Sequence, residues 1–204
     1  MYTLTRSIRR LAVWAAALAS VVGVLSVANA ASTGSASTPV ARAQGFLQLA
    51  NAESEGLVKI AGDFWVALER DPRGLLKLAA GDDIGERFYQ VPPVQGLDFR
   101  GRSEDLTALA YYDGGMFTLE RNAFAVCRRT IETLEAEWCI QYREIEERDE
   151  FVYRDTRFGK GEGLAVNSDG IFVVLDNNGV TRAAAPDDRR GLLIQLAFPD
   201  VLGN

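Results

Sequence analysis

One pattern occurs three times along the chain, and it limits the fold to a repeated sheet unit. The first copy runs Glu55-Gly56-Leu57 and then Trp65-Val66-Ala67-Leu68-Glu69-Arg70-Asp71. The second runs Glu104-Asp105-Leu106-Thr107-Ala108-Leu109 and then Met116-Phe117-Thr118-Leu119-Glu120-Arg121-Asn122. The third runs Glu162-Gly163-Leu164-Ala165-Val166 and then Phe172-Val173-Val174-Leu175-Asp176-Asn177-Asn178. In each, an acid opens a short apolar run, a turn follows, and a second apolar run closes on another acid. The unit recurs after about 50 to 60 residues, a period that points to propeller blades or another stacked array.

Each unit parses into short strands. In the first, Gly56 to Ile60, Phe64 to Glu69, Leu75 to Leu78 and Phe88 to Val91 are runs rich in β-branched or aromatic residues, separated by Gly-Asp, Asp-Pro-Arg-Gly and Gly-Asp-Asp turn signals. The third gives Leu164 to Val166, Ile171 to Leu175 and Leu192 to Phe198, with Asp169-Gly170 and Asn178-Gly179 in the turns between them. No window after residue 30 carries an apolar helix stripe, and Leu134-Glu135-Ala136-Glu137 is helix-friendly but too short to stand alone. The expected fold is all-β, a propeller-like array of about three four-stranded antiparallel blades. Propellers have about 4 to 8 blades, so this array is incomplete for a closed single-chain ring. A degenerate domain, a fragment, an open array and a homodimer completing the ring are the alternatives.

The N-terminus reads as an address. Arg6, Arg9 and Arg10 precede the apolar run Leu11 to Val27, and Ala28-Asn29-Ala30 offers the small residues a signal peptidase accepts. Residues 1–30 are therefore expected to be a secretory signal, with an uncleaved membrane anchor as the competing reading. Residues 31–44 form a small, polar leader with too little apolar surface to fold. Residues 45–204 then suit one domain, with repeats near 55–103, 104–161 and 162–204. Losing the signal removes three arginines and no acid, so the formal net charge falls from −6 to −9. That charge disfavours nucleic acid and anionic membrane surfaces as partners. The expected location is the periplasm or the medium, without stable membrane insertion after cleavage.

The chain has two cysteines. Folding about Thr133 sets Cys127 and Cys139 opposite one another on Ala125 to Ile131 and Glu137 to Arg143, where an antiparallel pair accepts a cross-strand disulfide. Export favours the bridge, and a redox or metal pair is the alternative. The acidic run Glu144 to Glu150 reads as a solvated edge, charged against edge pairing. Trp65 and Trp138 read as core.

The Glu-Gly-Leu-Ala-Val, Asp-Gly-Ile-Phe-Val-Val-Leu-Asp-Asn and Leu-Glu-Arg-Asn segments together resemble the phytase-like β-propeller family known as esterase-like activity of phytase, over about Glu53 to Pro199. The resemblance implies a propeller of four-stranded blades in an exported bacterial protein, with phosphoester hydrolysis as the associated activity and a small-molecule or phosphoester ligand.

The chain contains no histidine, which removes a Ser-His-Asp triad, a Cys-His dyad and a histidine-ligated zinc. Carboxylates remain. Hairpin geometry puts Glu55 with Glu69, Glu104 with Glu120 and Glu162 with Asp176 on shared rims, and radially arranged blades would gather all six. Such an oxygen-rich cluster suits calcium, which takes about 6 to 8 oxygen ligands and could bridge a phosphate and activate water. Arg70 and Arg121 are candidates to hold the phosphate through their guanidinium forks. The competing reading is structural: Arg70, Arg121 and Lys160 lie beside these acids and would pair with them. Function therefore divides between a calcium-dependent phosphoester hydrolase and a non-catalytic propeller-like binding module, which fold alone does not separate.

Overall fold

The computed structural model describes residues 53–69, 73–79 and 86–200. The expected signal (1–30), the leader (31–44) and Arg70 lie outside these residues. Among the described residues eleven strands follow one another as β1 (Ser54–Ile60), β2 (Asp63–Leu68), β3 (Gly74–Leu78), β4 (Glu86–Gln90), β5 (Leu106–Tyr112), β6 (Gly115–Glu120), β7 (Ala125–Arg129), β8 (Ala136–Gln141), β9 (Gly161–Asn167), β10 (Gly170–Leu175) and β11 (Leu192–Leu196). They form three antiparallel meanders: β1-β2-β3-β4, β5-β6-β7-β8, and β9-β10-β11. Two sheets have the expected four strands and the third has three among the described residues. No helix among those residues is long and apolar enough to cross a membrane.

The first strand of each sheet lies on a common inner edge, with β5 between β1 and β9. This is the arrangement of propeller blades, and three sheets leave it open. Close approach at the inner edge needs a residue without a side chain. A Cβ at Gly56 would come within 2.6 Å of the Leu109 amide and 2.7 Å of the Ala108 Cα. The inner hairpins turn tightly, as at Asp113-Gly114, where φ values of 46° and 74° give the doubly left-handed turn that Asp-Gly favours.

Packing between sheets explains why the apolar runs are nearly continuous. Sheet two is buried on both faces, so both parities of its strands must be apolar. Leu106, Leu109 and Met116 meet Trp65, Ala67 and Leu75 of sheet one. Ala108, Phe117, Leu119 and Val126 face Ile171, Val173 and Leu175 of sheet three. A bulge between Leu106 and Ala108 lets Leu106 and Leu109 share a face despite their spacing. The other face of sheet one carries a third cluster, Val66, Leu68, Leu76 and Leu78.

Cys127 and Cys139 are directly opposite on β7 and β8 and are bonded, with their Cα atoms 4.0 Å apart. A bridge closing so short a loop contributes on the order of 2 to 3 kcal/mol by restricting the unfolded chain. It staples the outer edge of sheet two, where β8 pairs only with β7 among the described residues.

The acidic run is exposed at Glu144 and from Glu147 to Glu150, as expected of a solvated edge, and departs from it at Glu146. Tyr142 donates its amide to the Phe124 carbonyl at 2.8 Å, and a single helical turn, α1 (Arg143–Glu146), then swings the chain inward. Glu146 is only 5 % exposed. Its Oε1 accepts the Lys160 amide at 3.0 Å, while Oε2 has no hydrogen-bond partner. Burial pushes this carboxyl from 4.5 up to about 7, partly opposed by the Lys160 amide and the Lys160 and Arg102 charges, with Glu147 adding to the rise. A raised folded pKa favours the protonated folded state, so the contribution is full below about pH 4.5 and is lost as pH rises through about 7. At about 1.4 kcal/mol per pH unit the swing is roughly 3 kcal/mol. Glu146→Gln, which keeps an acceptor for Lys160, is expected to flatten that part of the stability profile and to exceed the native protein in urea resistance above neutrality. An unchanged profile would assign the pH dependence elsewhere.

Candidate functional site

The acids that close each repeat gather at one end of the array because every sheet leaves its inner strands there. Glu69 follows β2, donates its amide to the Glu53 carbonyl at 3.0 Å and accepts the Leu106 amide at 3.3 Å, which ties sheet one to sheet two. Asp105 precedes β5 and its carbonyl accepts the Arg121 amide at 3.3 Å. Lys160 precedes β9 and its carbonyl accepts the Asp176 amide at 2.8 Å. The Thr107 hydroxyl donates to the Gly161 carbonyl at 2.8 Å and joins sheets two and three at the same level.

Arg121 sits at the centre of this end. It opens the short 3₁₀ turn Arg121–Ala123 after β6. One guanidinium nitrogen donates to Glu162 Oε1 at 2.9 Å. The other donates to Glu69 Oε1 at 2.6 Å and to Asp105 Oδ2. Acids from the rims of all three sheets thus share one cation, and Asp105 is fully buried while the Arg121 side chain is 12 % exposed. Burial opposes the Arg121 charge, but the Asp105, Glu162 and Glu69 carboxylates more than offset it and hold the group protonated beyond its ordinary value. Asn122 braces the cluster: its side-chain Nδ2 donates to Asp105 Oδ2 at 3.0 Å and its side-chain Oδ1 accepts the Gly159 amide at 3.1 Å.

A second cluster lies deeper, between sheets one and two. Glu120 Oε1 accepts from Arg129 at 2.8 Å, with both side chains fully buried, and Glu120 Oε2 accepts from Arg73 at 2.8 Å. Arg73 also pairs with Glu104, which is 47 % exposed. The rest of the Arg129 fork is satisfied by the Thr118 hydroxyl at 3.0 Å and by the carbonyls of Leu134 at 2.8 Å and Pro92 at 3.2 Å.

Of the six acids expected to hold calcium, Glu69 and Glu162 are therefore on Arg121, and Glu104 and Glu120 on Arg73. Glu55 and Asp176 are exposed on the same rim. Asp176 Oδ1 accepts the Asn178 amide at 3.2 Å. Burial raises the Glu162 carboxyl, Arg121 lowers it, and the charges of Glu55 and Asp176 raise it further. Among the described residues no group of three or more acidic or cysteine side chains is placed to hold a metal ion. Arg121 was a phosphate candidate, but both of its terminal nitrogens are on carboxylates.

Sequence reasoning passed over Asp105, Arg73, Arg129 and Asn122. Asp105 stood in the repeat beside Glu104, but the bulge that follows hides which of the two points inward. Arg73 lay in an Asp-Pro-Arg-Gly turn that reads as solvent-exposed. Arg129, in Cys-Arg-Arg, gave no sign that sheet two would be covered on both faces. No protein-family model, curated protein or solved structure matches the chain.

Proposed function

We propose that the chain is an exported, non-catalytic binding module built on a propeller-like array, and that its rim acids are a structural clasp. One observation carries this reading: a single guanidinium, Arg121, is bonded by Glu69, Asp105 and Glu162 from the three sheets. The neutralising charge that calcium would bring is already supplied by arginine. Export is supported by the signal-like N-terminus and by the Cys127–Cys139 bridge, since such bonds persist in oxidising compartments.

The second reading is a calcium-dependent phosphoester hydrolase of the phytase-like kind. It is favoured by the repulsion that Glu55 and Asp176 exert on the half-buried Glu162 carboxyl. Thermal unfolding with and without millimolar calcium separates the two, because a ligand that binds only the folded state raises its melting temperature. The binding module should melt at the same temperature in both, should hydrolyse no phosphomonoester, and should lose stability on combining Glu104→Gln with Glu162→Gln. A calcium-dependent rise that disappears in that double variant, together with phosphoesterase activity lost in parallel, would establish the hydrolase.

A further inference from the structure

At the opposite end of the sheets from Arg121, a cleft of about 470 Å³ opens between sheets two and three. Its size falls within the range of roughly 300 to 1,000 Å³ for small-ligand sites. Its floor is one register line across sheet two, Phe117 opposite Arg128 and Arg128 opposite Trp138. Phe198, beyond β11, forms the facing wall, and Tyr112 stacks on it at 5.9 Å. Trp138 meets the edge of Phe117 at 5.7 Å. Trp138, expected as core, packs against the cluster between sheets two and three but is only half-buried, because β8 is the edge strand of sheet two.

The polar groups around these rings are of opposite hydrogen-bonding kinds. Arg128 and the Trp138 indole only donate, and the Asp113 carboxylate only accepts. Arg128 is held in place by Glu137 and by the Asp113 carbonyl at 2.8 Å. Ser168, on the β9–β10 turn, adds a hydroxyl that does both. Glu137 already neutralises Arg128, so the mouth offers no free cation to an anionic ligand, and its donors and acceptor side by side suit a polyhydroxyl one. That ligand must accept from Arg128, donate to Asp113 and cover an aromatic ring with an apolar face. Neighbouring hydroxyls on a sugar ring do the first two and its C–H face does the third. A proline-rich peptide would suit the rings, but it lacks the backbone donors for Asp113.

We propose that this cleft binds a neutral saccharide, stacked on Trp138 and oriented by Asp113 and Arg128. The proposal rests on the binding-module reading and gives that module its ligand class. It is tested by titrating the exported, disulfide-bonded protein with neutral di- and trisaccharides of glucose, mannose, galactose and N-acetylglucosamine. Tryptophan fluorescence reports binding, because Trp65 is buried at the other interface and Trp138 lines the cleft. At least one sugar should give a saturable change. Asp113→Asn, on an exposed turn whose left-handed backbone asparagine tolerates, should weaken it about tenfold or more without moving the melting temperature. Trp138→Ala should abolish binding as read by calorimetry. No saturable response across the panel, or unchanged affinity in both variants, would overturn the proposal. None of these results bears on the calcium experiment, which decides the module reading separately.

Discussion

Glu120→Ala should cost about 3 to 5 kcal/mol, the range for breaking a buried ion pair by removing one partner. Glu120 and Arg129 are both fully buried, and Arg129 has no other acidic partner among its bonds. Truncating the acid leaves a guanidinium charge in the seam between sheets one and two, where water cannot reach it. Against a total stability of about 5 to 15 kcal/mol, that loss leaves little margin. Urea denaturation measures it. Combining Glu120→Leu with Arg129→Met removes both charges and should recover much of the deficit, because the penalty lies in the unpaired charge. A double variant as unstable as the sum of its singles would show that the pair acts independently.

Arg121→Met should cost a similar amount, about 3 to 5 kcal/mol, by leaving Glu69, Asp105 and Glu162 without their shared cation. The loss should depend on pH. Glu162 is already pushed upward by burial, and Arg121 is what opposes that rise. With the guanidinium gone, the folded state binds a proton more tightly than the unfolded one, so the variant should regain stability as pH falls. On the clasp reading it should also gain a calcium response, since three carboxylates that lose their shared guanidinium at one point attract a divalent cation. A change within about 0.5 kcal/mol, typical of surface positions, would remove Arg121 from the clasp.

Much of this was legible because the relevant signals are local. Asp169-Gly170 marks the turn at which β9 and β10 pair as a hairpin, and the cysteine pairing follows from counting outward from Thr133. The hairpin rule also gathered Glu55 with Glu69 and Glu104 with Glu120, since β1 pairs β2 and β5 pairs β6 in antiparallel register. The acidic run was misread at Glu146, for the same reason that the turns were readable. Its charges describe solvation only when the chain stays at the surface, and the turn at α1 carries Glu146 inside to meet the Lys160 amide.

Composition and periodicity by themselves determined an all-β chain of three repeated antiparallel units, a disulfide between Cys127 and Cys139, and acids at the strand ends. Only the tertiary structure decided what those acids face. Side-chain partners such as Arg121 with Glu69, or Arg73 with Glu120, are about 50 residues apart in sequence and meet through the stacking of whole sheets. A single bulge between Leu106 and Ala108 decides which of two adjacent acids points inward. Strand periodicity assigns a residue to a face, but the charge it meets is set by a neighbouring sheet, and no local pattern encodes that pairing.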